Sequence, residues 1–451
     1  MNDKEDIDTK INFGSEAFKK YFANTSWMFA EKIIRLLIAF VVGVYVVRYL
    51  GPENFGILSY AISFVGLFAT IATLGLDGIV VRELVKDPDR RDEILGSVFY
   101  LRIIGAVIAV ILTIVTSFLL KESFFNILLI SIIVTSTLFQ SLNVVEYYFQ
   151  ARVESKFNVY VQSSSLFLAS IIKVLLVLFS APLIYFAVVY VIEFMFLSVG
   201  FFIVYKINDL KISNWKFKSS TAIELVKDAW PLILSGVVIA VYMKIDQVMI
   251  KNMLSNKELG YYAVAVKLSE AWYFVPMAIS TSLFPAIVKA KQVSEKLYFS
   301  RLQKLYDILA WMAIAIAIPV TFLSEFIIKI VFGVKFLPAA PVLTIYIWAG
   351  VATFLGVASS QYLISENMTK LSFFRTLLGM ILNIILNLIL IPIYGIVGSA
   401  LATLISYFLA TIAIGFSKRT FHQLIMMTKS LLLINVVKEI RKNGINIFKK
   451  A

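Results

Sequence analysis

Apolar residues run through this chain in stretches too long and too numerous for the core of a water-soluble domain. Twelve are legible, near 27–50, 57–80, 97–120, 124–148, 158–180, 182–205, 229–252, 260–287, 306–332, 338–364, 372–392 and 395–417. Each is long enough to cross a bilayer, which takes about 20 residues at 1.5 Å rise per residue. The pattern predicts an all-α integral membrane protein of about twelve transmembrane helices. Trp27, Tyr49, Trp230, Tyr261 and Tyr262 stand at ends of these runs, where amphipathic rings favour the headgroup zone.

The polar intervals orient the spans. Alternate connections hold Arg82, Lys86, Arg90 and Arg91, then Arg152 and Lys156, then Lys206 to Lys227, Lys289 to Lys304, and Lys370 with Arg375. The opposite connections hold only Arg48, Lys121, Lys251, Lys257, Lys329 and Lys335. This persistent asymmetry predicts that both termini face the cytoplasm across a cell (inner or plasma) membrane. The segment Asp3–Lys20 mixes acids and bases and leads straight into the first span, so no removable signal peptide is expected. Outward connections such as 180–182 and 392–395 are little more than turns, too small for an external catalytic domain.

Composition narrows the chemistry. Hydrophobic residues make up 60% and charged residues 16%, against roughly 25% charged in an ordinary soluble domain. The net charge of +14 sits in the basic connections and the tail, a distribution that suits topology and anionic headgroups, not nucleic acid. There is no cysteine, and the one histidine, His422, reads as an interfacial residue of the tail. No phosphate-binding loop, no Gly-Lys pair and no metal-ligand spacing occurs, so neither ATP hydrolysis nor a metal centre is expected. The 419–451 tail alternates apolar runs with Lys438, Arg441 and Lys442, the pattern of an amphipathic helix lying on the inner leaflet.

An internal repeat sets the plan. Leu50, Gly56 and Ala61, between spans one and two, recur as Leu254, Gly260 and Ala265 between spans seven and eight, each displaced by 204 positions. Six intervening spans leave the two copies in the same orientation, as in parallel-repeat transporters. The expected organisation is an N-terminal lobe over 1–215 (lead-in plus helices 1–6), a C-terminal lobe over 216–418 (helices 7–12), and the tail.

The stretch Asn24-Thr25-Ser26-Trp27, continued by Arg48-Tyr49-Leu50-Gly51-Pro52-Glu53-Asn54-Phe55-Gly56 and Ser59-Tyr60-Ala61, resembles the opening of Wzx-type polysaccharide flippases. These belong with the multidrug and toxin extrusion (MATE) exporters and the lipid II flippase. The motif covers about 35 residues, while length, topology and repeat extend the similarity over 20–418. The resemblance implies two pseudo-symmetric six-helix lobes around a central cavity lined by spans one, two, seven and eight. The implied substrate is a polyprenyl-diphosphate-linked oligosaccharide.

Ionisable groups at membrane depth cost roughly 2.5–3.5 kcal/mol each to insert, so they mark pairs, snorkelling ends or a polar cavity. Arg102, Glu146 and Asp77 lie near the basic side, where snorkelling is expected. Glu31 and Arg35 share a helix face, and Arg35 lies about 12 Å in from Trp27. They form either a phosphate-binding fork or an internal pair. Lys244 and Asp246 precede the turn between spans seven and eight, and Lys267 and Glu270 follow it at similar depth. These four make either a polar wall, with lysines on phosphate and a carboxylate exchanging a proton or sodium, or two cross-helix ion pairs. Lys173 with Glu193 reads as a structural salt bridge, and Asn383 with Asn387 as interhelical hydrogen-bonding. Pro276, Pro285 and Pro319 are candidate kinks.

Arg35, Lys244 and Lys267 are therefore the candidate substrate-binding cations, and Glu31, Asp246 and Glu270 the candidate coupling or cavity groups. The reading is a non-enzymatic flippase that needs no cofactor beyond a coupling ion. Its partners would be membrane lipids and, as functional neighbours, a glycan polymerase or glycosyltransferase. The rivals are a MATE-like exporter of small organic solutes, coupled to a proton or sodium gradient, and a membrane glycan polymerase. Three cations in one cavity suit an anionic load better than a cationic drug. The short outward loops leave a polymerase little room for catalytic carboxylates.

Overall fold

A computed structural model describes the helical backbone from Glu16 and side chains from Ile34 to Leu432. Every regular element among these residues is helical. In order these are α1 (Glu16–Thr73), α2 (Asp77–Lys86), α3 (Arg91–Leu119), α4 (Phe124–Val134), α5 (Ser136–Phe139), α6 (Val144–Ala151), α7 (Lys156–Leu178) and α8 (Leu183–Ile207). The second half holds α9 (Ser219–Met253), α10 (Asn256–Glu270), α11 (Phe274–Val293), α12 (Glu295–Val331), α13 (Ala340–Ser365), α14 (Thr369–Ile412) and α15 (Phe421–Leu431). Glu31 and residues 433–451 lie outside the described side chains.

Ten stretches among the described residues are long and apolar enough to cross a membrane. Two of them, Ile34–Lys86 and Thr369–Phe416, hold 53 and 48 residues. Straight helices of that length would run about 80 and 70 Å, against a hydrocarbon core of about 30 Å. Each therefore turns back at a glycine, at Gly51 (φ 68°) and at Gly395 (φ 60°), in the left-handed region that glycine enters without penalty, and the first stretch breaks again at Leu74–Leu76 before α2. Past Gly395 the chain doubles back so tightly that a Cβ on Gly398 would stand 2.1 Å from the Leu390 carbonyl. With these two divided, the passes number twelve, as the apolar pattern predicts.

Three boundaries differ from expectation. The seventh span begins at Ser219 and not near 229, so Lys227 lies in a helix and not in a connection. The fourth span is interrupted between α4 and α6 by a 3-10 turn at Gln140–Asn143, in a run rich in serine, threonine and asparagine. Freed backbone there finds protein partners, Phe139 O accepting from Ser198 and Gln140 O accepting from Arg102. The eighth span breaks between Glu270 and Phe274, just before Pro276, which has no N–H to continue the ladder. Pro285 and Pro319 sit inside continuous helices.

Helices α1–α8 pack mainly among themselves, as do α9–α15, and the two halves meet chiefly where α1 touches α9 and α10. One end of the bundle carries the basic connections. At the other end the largest apolar core joins both halves, with Val47, Tyr60, Phe64 and Ile133 against Tyr262, Val264, Val342 and Tyr346. Helix α15 packs on α12 at the basic end through Met426 and Met427.

Candidate functional site

The sequence repeat is where the halves touch. A Cβ on Gly56 would stand 1.8 Å from Asn256 O, and one on Gly260 would stand 1.9 Å from Pro52 O. Each pair maps onto the other by the same 204-residue shift, the reciprocal contact of a pseudo-twofold axis. Only glycine lets the two helices approach this closely, so the recurrence of Gly56 and Gly260 has a packing cause.

Charges lock the same seam at the end opposite the basic connections. Lys251 Nζ lies 2.6 Å from Glu122 Oε1, joining α9 to the start of α4, and sits 4.7 Å over the Tyr60 ring. Glu122 also accepts from Tyr60 Oη at 2.6 Å and Asn126 Nδ2 at 2.8 Å, and its side chain is fully buried. Arg48 donates to the carbonyls of Ile330 and Val331, completing the C-terminus of α12 from the other half. Deeper in, Ser63 Oγ donates to Gln247 Oε1 at 2.8 Å. Sequence reading placed Arg48 and Lys251 in the connections opposite the basic ones. Nothing in their local pattern shows that α4 and α9 converge there.

The five candidate residues whose side chains are described separate into distinct environments. Lys267 crosses α1 at Gly43, where an added Cβ would stand 2.5 Å from its Nζ. It lines a cavity of about 310 Å³ with Ala39, Val46, Lys173, Tyr190 and Glu193, drawn from α1, α7, α8 and α10. Lys173 and Glu193 pair at 2.7 Å, whereas Lys267 has no ion pair among the described residues. Arg35 does not line this cavity: it lies about one turn from Ala39 on α1 and donates to Gln162 Oε1 of α7. Gln162 passes the contact on, donating to Glu146 Oε1 at 3.1 Å. Lys244 lies elsewhere again, its stem 3.9 Å from the Cβ position of Gly66 between α9 and α1.

The carboxylates face the interior of the second half. Asp246 is 3% exposed, accepts from the Tyr262 hydroxyl and takes the Gln247 N–H at 2.7 Å. Beyond Tyr262 the network continues through Thr403 and Asn383 to Asn387, all buried, with Ser399 Oγ and Asn387 Oδ1 left without partners. Glu270 accepts from Tyr346 Oη at 3.2 Å. Of the two sequence alternatives, cross-helix ion pairs among Lys244, Asp246, Lys267 and Glu270 do not form: tyrosines hold both carboxylates.

Snorkelling also fails for Arg102. It is 4% exposed, lies 5.4 Å over the Tyr147 ring and pairs with Asp77 at 3.6 Å, while Tyr147 donates to the same carboxylate. Arg102 and Glu146 thus belong to a packed polar layer next to Arg35, while the Asp77 side chain is 63% exposed at its edge. His422, expected at the interface, wedges between Phe299 and Tyr362 at ring separations of 4.9 and 5.7 Å.

This broken-helix bundle has a MurJ- and MATE-like fold. A structure titled lipid II flippase MurJ, in its inward closed conformation, superposes with a TM-score of 0.68 at 17% identity, covering 91% of each chain. An inward-facing MATE multidrug transporter superposes at 0.63 with 11% identity, covering 90% of this chain and 96% of its own. The family model described as polysaccharide biosynthesis protein matches residues 21–291. The chain belongs to that polysaccharide biosynthesis family and is a multi-pass membrane protein. It is 28% identical over 175 residues to the probable low-salt glycan biosynthesis flippase Agl15 of Haloferax volcanii, covering 38% of this chain and 36% of that one. It is 23% identical over 405 residues to the capsular polysaccharide biosynthesis protein CapF of Staphylococcus aureus, covering 86% of this chain and 97% of CapF. The archaeal matches span less than half of the relatives' length, whereas CapF is matched almost throughout.

Proposed function

We propose that this protein is a flippase that moves a polyprenyl-diphosphate-linked oligosaccharide between leaflets by alternating access, without catalysing a covalent step. The observation that carries this reading is Lys267, a half-buried cation without a carboxylate of its own, in a cavity bounded by helices of both halves. An ammonium held there suits a phosphoryl oxygen. Arg35, one turn away, would extend the anionic path, and Lys244 would meet it from the α9 side. Separation of the halves, taken as lobes 1–215 and 216–418, would open the cavity from one side at a time while the lipid tail stays in hydrocarbon. The basic end would face the cytoplasm of a plasma membrane, placing both termini inside. Its functional neighbours would be a glycan polymerase or glycosyltransferase.

Asp246 fits the coupling role. A buried carboxylate that connects through Tyr262 and Thr403 to Asn383 and Asn387 would take a proton or sodium at the head of a chain of polar oxygens. The same network suits the rival reading, a cation-coupled exporter of small organic solutes, and a drug-susceptibility profile of a deletion strain separates the two. The principal test is complementation of a strain lacking the protein. Lys267→Gln and Arg35→Gln should abolish surface glycan at unchanged protein level, and normal glycan from both variants would remove their assignment.

A further inference from the structure

A second cavity, mostly apolar with a few polar groups on its wall, lies wholly within the C-terminal half. It measures about 390 Å³ and is walled by α9, α11, α13 and α14 together with Tyr273, which precedes α11. Its polar lining includes Tyr242, Tyr273, Thr353, Gln361, Arg375 and Tyr407. Counting loop charges placed Arg375 in a basic connection. Instead it lies in the second turn of α14 and is 8% exposed.

Arg375 has no ion pair among the described residues. Its guanidinium donates to Ser359 Oγ, to Ser360 Oγ at 2.8 Å and, at 3.5 Å, to Gly356 O. A guanidinium carries five N–H donors, and these three bonds leave two of them unspent. The neutral hydroxyls fix its position without cancelling its charge. A buried ionised group with no counter-charge is costly at this depth and points to a function. The Tyr273 ring also stands on the cavity wall. A fixed cation, an amide and three tyrosine rings line a space at the small end of the range for ligand pockets.

We propose that this cavity is an oxyanion subsite for the saccharide part of the substrate. Arg375 would bind a carboxylate or phosphoryl group, the tyrosine rings would stack on an attached sugar, and Gln361 and Thr353 would take its hydroxyls. The volume admits one or two sugar rings, not a whole oligosaccharide, so the site reads a single acidic unit. This deepens the lipid-linked glycan reading and rests on it. It is separate from Lys267, whose cavity is built largely from α1, α7 and α8.

The test uses the purified full chain in detergent and saturation-transfer NMR, which detects weak ligands. Glucuronic acid, glucose 1-phosphate and glucose are the probes, with inorganic pyrophosphate followed by phosphorus line broadening. The two acidic sugars should show transfer and glucose should not. Arg375→Gln should weaken the signal about tenfold or more, the scale of one lost charge-assisted contact, and Arg375→Lys should retain part of it. Val357→Phe fills the cavity without touching the Arg375 hydrogen bonds and should also remove the signal, which covers the case in which Arg375→Gln fails to fold. Arg375-dependent broadening of pyrophosphate alone would assign the oxyanion to the carrier's diphosphate rather than to an acidic sugar. No transfer and no broadening in the wild type, or signals untouched by both substitutions, would overturn the subsite. Because binding is read without transport, an intact flippase that fails this test loses only the subsite.

Discussion

Removing the Lys251 ammonium should open the closed seam. In the structure the fully buried Glu122 carboxylate is held by Lys251 at 2.6 Å, with Tyr60 and Asn126 as neutral donors. Lys251→Met leaves that carboxylate buried and uncompensated, and breaking a buried pair from one side costs about 3–5 kcal/mol. The remaining Tyr60 and Asn126 bonds favour the lower figure, about 3 kcal/mol, or roughly 150-fold in an equilibrium constant. Separating the halves re-exposes Glu122 to water and relieves the cost, so the penalty falls on the closed state alone. The chain contains no cysteine, so spin labels at Lys121→Cys and Lys257→Cys report the separation across this end without background. The expected result is a longer, broader distance distribution in Lys251→Met and recovery of the wild-type distance in Glu122→Gln/Lys251→Met, where no charge is left stranded. A wild-type distance in the single variant at normal yield would refute the assignment of this pair to the closed state.

Three other outcomes follow from the same geometry. Gly56→Ala and Gly260→Ala each drive a methyl into a backbone carbonyl that cannot swing aside. Each should destabilise the seam by about 1–3 kcal/mol, the usual range for overpacking, and by the same amount as its partner, as read by the same spin-label distances. Asp246→Asn should abolish the dependence of transport on an imposed ion gradient while leaving substrate binding intact, measured as gradient-driven against gradient-free flux. Burial between Phe299 and Tyr362 pushes the His422 pKa below the ordinary histidine value. The folded tail thus binds fewer protons than the free tail, so docking of α15 is fully stable above the ordinary pKa and weakens as pH falls through it. Limited proteolysis near 421–431 should rise on acidification in the wild type and stay flat in His422→Gln.

What the chain reveals by itself follows from the bilayer. A medium that forbids unpaired backbone imposes long apolar helices, so the twelve passes and their alternation could be read directly, down to the turns at Gly51 and Gly395. The repeat was legible too, because close helix approach leaves glycine as its trace at Gly56 and Gly260. Side-chain partnerships were not. Glu122 and Lys251 are 129 residues apart, and Arg375 meets Ser359 and Ser360 through a helix turn that hydropathy does not describe. Depth alone suggested snorkelling for Arg102, yet a nearby tyrosine and carboxylate gave it a buried alternative. Of the four charges around the seventh and eighth spans, Lys244 and Asp246, two apart, could be assigned to different faces, whereas Lys267 and Glu270, three apart, read as sharing one. In the fold α10 is packed between α1 and α13, and Lys267 lines the cavity against α1 while Glu270 meets Tyr346 of α13.

The central claim is movement of a lipid-linked glycan between leaflets, and it can be measured directly. Purified protein is reconstituted into vesicles carrying a polyprenyl-diphosphate oligosaccharide in both leaflets, and externally added periodate then oxidises only the outward glycan. Active protein should expose the inner-leaflet pool, so that oxidation proceeds to completion, while Lys267→Gln vesicles should stop at the outer leaflet's share. Oxidation that halts at that share with wild-type protein, under an imposed proton or sodium gradient as well as without one, would contradict the account.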